Sequence, residues 1–465
     1  MQRRCLLGLL AVLALSLLLL LATATRSQQV VHSTRAPSEF ELPDREPLPT
    51  PPEQVRVICS LPEFQARPNL NATVVVFAWR RLESLRRLTR SLERAEYCGT
   101  EVPLLVLADS GASAEVLAYV TALQWSHGAK RLYVHEGTAL GIRGMWIHMF
   151  RQAEGRNLMP FEDDIEVSPL YYWWLARMVR QYGPLGTAEQ VRAKNLAGIS
   201  LYTPRLNEIQ YPQVKWVASK ETRSPAFLLQ VPCSWGALFF SAYFEEFLSF
   251  FDARTAPPFY NFTEELHQTG LGRERQRLGD WRVRLPNARC NVWPRSWKRF
   301  LIDFMFARGL VMLYPSFSKE RCFSTTYMER VGHSGKDGRD EAIASSSLRQ
   351  DLDPHKTPPL AASSHLGHMQ RRLESELPHH YSALPVFTLH HHKRRSLSEL
   401  RTIGTSFLDR VRRRGAEAQQ PALYDRLVRL WGGYEPGAAL PPLDTLGRHV
   451  EDPEELLESA RENDI

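Results

Sequence analysis

Between about Asn69 and His333 the apolar residues fall alternately into short continuous runs and into helical spacing. Residues 73–78 form a β-branched and apolar run, followed by Leu82, Leu85, Leu88 and Leu92 at helical spacing among arginines. Residues 102–108 and then 116–123 repeat that alternation. A third strand is predicted over 131–135, a helix over 144–153, and a short strand over 158–161 that ends in acids. Continuous apolar strands between helices predict an α/β fold whose sheet is mostly parallel and covered on both faces. Ligands in such sheets sit beyond the carboxyl ends of the strands, so the residues just after each run are the candidates for chemistry.

The pattern is different outside this region. Arg3 and Arg4 precede an uncharged apolar run over 6–24, and about 19 helical residues span a hydrocarbon core of about 30 Å. Residues 1–26 are therefore expected to be a cytoplasmic end and signal-anchor helix, with the rest on the lumenal side. The rival reading is a cleaved signal peptide ending at Ala22-Thr23-Ala24. Residues 27–68, with Pro47, Pro49, Pro51 and Pro52, read as a Pro-rich stem. The catalytic domain is expected over 69–335, a low-complexity linker over 336–395 that includes His390-His391-His392, and a tail over 396–465 with short amphipathic helices. The His triplet is read as a solvated polar tract rather than a metal site.

Composition adds compartment more than chemistry. The chain has 465 residues, 43% hydrophobic and 23% charged, which fits one large globular domain or two ordinary ones. Its net charge of +7 comes largely from the termini and gives little support to nucleic-acid binding. Asn71-Ala72-Thr73 and Asn261-Phe262-Thr263 are glycosylation acceptors. Beyond the apolar segment lie Cys59, Cys98, Cys233, Cys290 and Cys322, for which one or two disulfides with a thiol left over are expected in an oxidising lumen.

The strand ends carry Arg80 and Arg81, then Asp109-Ser110-Gly111, then Glu162-Asp163-Asp164. Three adjacent acids repel one another unless a cation neutralises them. Mg²⁺ or Mn²⁺ takes carboxylate oxygens, and one or two from protein suffice when substrate phosphates supply the rest. The bland alternative is an acidic helix start, since Ser168-Pro169 is a good cap for a helix over 170–179.

The string Phe161-Glu162-Asp163-Asp164-Ile165-Glu166-Val167-Ser168-Pro169 resembles the acidic metal motif of glycosyltransferases with the nucleotide-sugar GT-A fold, in particular that of the N-acetylglucosaminyltransferase I family. It is also similar to a group of plant and algal glycosyltransferase 2-like proteins in which a Tyr-Tyr pair follows, as Tyr171-Tyr172 does here. The resemblance covers about residues 73–335. It implies that Asp164 binds Mn²⁺, that Glu162 and Asp163 lie near the donor sugar and ribose, and that Asp109 contacts a uracil ring. Arg81 matches a donor-binding arginine, while Arg80 stands where that family has Asp. Gly141, Arg143 and Gly144 fall where related enzymes approach the donor diphosphate.

In the second half, Cys233-Ser234-Trp235-Gly236 is similar to the strand that floors the sugar pocket, with Trp235 against the donor sugar. The segment Ser296-Trp297-Lys298-Arg299-Phe300-Leu301-Ile302-Asp303 resembles the one whose aspartate is the catalytic base. The other reading of Asp303 is an ion pair with Arg299 or Arg308. His333, in Val331-Gly332-His333-Ser334-Gly335, matches a late segment that closes over the diphosphate. Together the resemblance implies a metal-dependent, inverting glycosyltransferase using a nucleotide sugar, UDP-sugars favoured, on a glycan or glycoprotein, as a single-pass type II protein of the Golgi membrane. The alternative is a catalytically inactive, membrane-tethered protein of the same fold that binds glycans or partners.

Overall fold

The structure is a computed structural model of the 465-residue chain; it describes residues 53–65, 70–182, 188–210, 214–256, 259, 283–293, 296–327 and 358–433. The predicted signal anchor and His333 lie outside these residues. Among the described residues no helix is long and apolar enough to cross a membrane.

The strand-helix alternation read from the sequence is present. Strand β1 (Ala72–Ala78) is followed by a helix over Leu82–Glu93, β2 (Leu104–Ala108) by one over Ala114–Ala122, and β3 (Lys130–Val134) by one over Gly141–Arg151. These are α2, α3 and α4, numbered after α1 (Glu53–Cys59). Next come β4 (Asn157–Phe161), the short β5 (Ile165–Val167) and α5 (Tyr171–Tyr182). The second half contributes β6 (Leu196–Ser200), a two-residue ladder of β7 (Leu206–Asn207) and β8 (Val214–Lys215), β9 (Ala226–Leu229), β10 (Ala237–Phe239) and α6 (Phe244–Thr255). It ends with α7 (Trp297–Arg308), β11 (Val311–Pro315) and β12 (Ser324–Thr326).

One ten-stranded sheet runs through the domain in the order β14-β13-β9-β11-β6-β10-β4-β1-β2-β3. Its first four strands are parallel neighbours, with β1 between β2 and β4 and β3 outside β2. Strand β10 runs against both β4 and β6. The sheet is therefore mixed, mostly parallel, and β1, β2, β4 and β6 all present their carboxyl ends at one edge. Strands β1 and β2 are buried along their whole length, which is why they lack polar alternation in sequence.

Three sequence boundaries need correction. Residues 53–65, assigned to the stem, fold onto the domain: Ile58 and Phe64 are buried, Phe64 stacks on Tyr172 with centroids 6.3 Å apart, and Cys59 is bonded to Cys98. Ile58, Leu61 and Phe64 make a helical stripe that the neighbouring prolines obscured. Cys233, Cys290 and Cys322 are free and buried.

Secondly, residues 358–395 are not an unstructured linker. They form α8 (Leu366–Glu376), β13 (Val386–Phe387) and β14 (Lys393–Arg394), and β13 extends the sheet by pairing parallel with β9, Phe387 opposite Leu229. The His triplet is the turn between β13 and β14 rather than a solvated tract, and His391 is only 9% exposed. Burial drives His390 down to about 4 and His391 to about 3, with the neighbouring histidines adding repulsion. Between pH 6.5 and those values the unfolded chain takes up protons that the folded chain excludes, so stability falls as the pH falls. Each histidine is expected to cost about 1.4 kcal/mol per pH unit there. Urea midpoints measured from pH 7 to 4.5 should drop, and replacing His391 with Phe should flatten the slope.

Thirdly, the helices of the tail are longer than expected and belong to the core. They run over Leu397–Glu417 (α9) and Pro421–Gly432 (α10). Leu400, Phe407, Val411, Leu427 and Trp431 are buried against α6 and α7. Gly404 is in van der Waals contact with the end of α7, and a Cβ there would lie 2.3 Å from the Ala307 carbonyl oxygen. Backbone cannot yield as a side-chain tip does, so Gly404→Val is expected to cost about 3 kcal/mol, read as a lower urea midpoint.

Candidate functional site

The acid loop is built by the end of β4 and pinned on both sides. The Ile165 amide donates to the Glu162 carbonyl at 3.1 Å, and the Tyr327 amide, just after β12, donates to the Asp164 carbonyl at 2.9 Å. Antiparallel pairing of β5 with β12 holds this arrangement. Ser168 does cap the next helix, its Oγ accepting from the Leu170 amide at 3.0 Å. The three acids lie before that cap, at the strand end.

Arg81, at the end of β1, meets them. Its Nε donates to Asp163 Oδ2 at 3.0 Å and a second guanidinium nitrogen bonds Asp163 Oδ1, a two-pronged grip. Arg81 Nη1 lies 3.5 Å from Asp164 Oδ2. Burial acts to lower the pKa of Arg81, but the bond to Asp163 and the charges of Asp164 and Glu162 outweigh it and raise it. Asp163 and Asp164 are 6% and 3% exposed. Glu162 accepts from the Trp146 indole at 3.1 Å. Desolvation first and the Asp164 charge second push it up to about 8. One arginine thus faces three carboxylates, too little charge to keep all three ionised at neutral pH.

That imbalance is the test for a cation. The donor set is hard oxygen, suited to Mg²⁺ or Mn²⁺ and not to a soft ion, and its surplus negative charge fits one. Asp163 is committed to Arg81, which leaves Asp164 and Glu162 as the oxygens for it. Elsewhere among the described residues one group of three potential ligands converges, Cys59, Glu96 and Cys98, and its two sulfurs form the disulfide.

Asp109, at the end of β2, is tied to backbone. Its Oδ1 accepts from the Ser110 and Leu140 amides at 2.8 and 3.0 Å, and its Oδ2 from the Gly141 amide at 2.8 Å. Three of its roughly four acceptor positions are taken, so its main work is to fix the start of α4 against β2. Gly141 has φ +65°, a left-handed conformation that opens the helix. Arg143 is half-buried in the first turn of α4, one turn before Trp146 and on the same face.

Two placements depart from the sequence reading. Asp303 is 1% exposed inside α7, with Arg254 Nε of α6 3.5 Å from its Oδ2. Burial pushes its carboxyl up to about 6 while Arg254 and Arg299 pull against it. That value suits a general base, but a base must reach the proton it takes, and Asp303 is enclosed by α6 and the Trp431 indole, which donates to its carbonyl at 2.7 Å. Asp303 is a partner in a buried ion pair, and the arginine it chose, Arg254, is neither of those expected.

Trp235 lies at the strand-end edge but in a recess of its own with Tyr202, Arg205, Glu208, Lys298 and His391. The sequence analysis also passed over Trp79, 38% exposed, whose ring carries the Arg80 guanidinium at 4.3 Å. Arg80 is held there by its Nε bond to the Gly111 carbonyl at 3.0 Å. A large exposed aromatic directly after a buried strand was the available signal.

These features define an α/β protein whose mixed, mostly parallel sheet gathers an arginine and three acids at the carboxyl ends of its strands. No family model matches the chain, and no curated protein matches it. Among solved structures it is similar to residues 1–349 of S. aureus TarS in complex with UDP-GlcNAc, with 12% identity and a TM-score of 0.35 over 77% of this chain and 90% of that one. A second structure of TarS 1–349 gives 11% identity and a TM-score of 0.32 over 79% and 93%. At these scores the likeness carries no functional argument.

Proposed function

We propose that this chain is a metal-dependent glycosyltransferase of the GT-A fold, moving a sugar from a nucleotide-sugar donor, UDP-sugars favoured, to a glycan or glycoprotein acceptor, with inversion. The observation that carries this reading is the charge imbalance at the end of β4, where Arg81 alone faces Glu162, Asp163 and Asp164. The loop lies in the crevice outside the strand ends, where open α/β sheets bind ligands.

Mn²⁺ or Mg²⁺ would be held by Asp164 and Glu162, and when bound it offsets charge on the departing diphosphate. Arg81 fixes the direction of Asp163 and Asp164 and adds a positive charge that needs no reorganisation during bond breaking. Asp109 keeps the first turn of α4 in place, with Arg143 available to the donor from that turn. Asp303 stabilises the helical layer behind the site. With residues 1–26 as a signal anchor, the domain would work in the Golgi lumen as a single-pass type II protein.

The test is titration calorimetry of the detergent-solubilised chain with UDP and GDP, with and without MnCl₂, followed by assay of diphosphate release from a panel of nucleotide sugars. Manganese-dependent binding of one nucleotide and release from at least one sugar are expected. Binding that ignores manganese, or no binding of either nucleotide, would overturn the reading.

A further inference from the structure

The recess around Trp235 encloses about 540 Å³ of empty space, its open mouth included, within the range of small-molecule sites. It starts close to the acid loop. Trp235 precedes β10 and Tyr202 follows β6, and these strands are the first and second neighbours of β4. Two strand spacings are about 10 Å.

Its lining combines flat apolar walls with donors and acceptors. The Trp235 and Tyr202 rings are 4.7 Å apart and tilted by 60°. Lys298 Nζ lies 5.4 Å from the Trp235 ring and is bonded to Glu208. Arg205 spends its Nε on Glu320 at 2.9 Å, while its Nη1 is buried with no hydrogen-bond partner among the described residues. His391 Nδ1 is buried and unpartnered too, in a side chain nine-tenths out of solvent. A buried polar group left unpaired costs about 1–3 kcal/mol, so two of them around one recess call for a polar occupant.

Charge narrows its identity. Lys298 is matched by Glu208 and Arg205 by Glu320, and burial keeps His391 neutral. A charged ligand would find no free counter-charge, whereas a neutral ring with an apolar face and several hydroxyls matches every wall. We propose that this recess binds a neutral pyranose, the terminal sugar of the acceptor, with its apolar face on Trp235 and a hydroxyl donating to Glu208. Arg205 Nη1 and His391 Nδ1 supply the remaining hydrogen bonds. The acceptor role rests on the acid loop being the donor site; the sugar-binding role does not.

Saturation-transfer NMR on the whole chain, with the methyl glycosides of glucose, galactose, mannose and N-acetylglucosamine as probes and glycerol and acetate as controls, tests this. At least one glycoside should bind saturably, with the strongest transfer to one face of its ring. Trp235→Ala and, as the variant least disturbing to the fold, Glu208→Gln should each weaken it about tenfold or more, the loss of one good contact. Both should retain manganese-dependent UDP binding. Absence of glycoside binding, equal binding of glycerol or acetate, or unchanged affinity in both variants would overturn the proposal. Glycoside binding by a chain that binds no nucleotide would leave a sugar site and overturn its acceptor role.

Discussion

Asp164→Asn is expected to lower sugar transfer by about 10³-fold, the scale set by loss of one preorganised electrostatic contact to a transition state. The substitution keeps the shape of the side chain and removes one negative charge. Repulsion from Asp164 is the second cause of the raised Glu162 pKa, so the same change should return Glu162 towards the usual carboxylate range. The variant should therefore remain folded, with an unchanged or slightly higher thermal midpoint, while losing activity and manganese affinity together. Steady-state kinetics alongside a manganese titration checks this. Near-normal transfer by Asp164→Asn would remove the metal from the mechanism proposed here.

The largest effect on stability is expected at Arg254. Arg254→Met leaves the carboxylate of Asp303, 1% exposed, without its ion-pair partner on α6. Removing one member of a buried pair costs about 3–5 kcal/mol, because the other charge remains buried, whereas replacing both by apolar groups is often close to neutral. The double variant Arg254→Met, Asp303→Leu should consequently recover much of the loss in chemical denaturation. Recovery of transfer activity in that double variant would also show directly that Asp303 is no catalytic base; a double variant as stable as the parent yet without transfer would restore that role.

Sequence and structure agree best where structure is local. The runs preceding Trp79, Asp109 and Glu162 end where β1, β2 and β4 end, because a strand buried on both faces has no polar position to blur its limits. The acids at 162–164 were legible for the same reason, and so was Arg81. What could not be read depends on pairings distant in sequence. Lys298 meets Glu208, Arg205 meets Glu320, and His391 closes a recess begun by Tyr202. None of these residues forms a motif with its neighbours. Asp303 misled for a complementary reason: an acid flanked by Ile302 and Phe304 has the same sequence signature whether its apolar surroundings form a cleft wall or a closed helix interface. The Ser-, Asp- and His-rich composition before residue 395 masked Val386, Phe387 and Leu389, too few to signal a strand yet enough to complete a sheet.

That late strand shapes how the chain must mature. Strand β9 receives β13 only after about 160 further residues have been made, so a growing polypeptide carries an uncovered ladder of amides and carbonyls through most of its synthesis. A product ending before Val386 would keep that ladder permanently bare. Premature termination anywhere in the last fifth of the message should thus yield self-associating material retained by quality control, and not a smaller working enzyme.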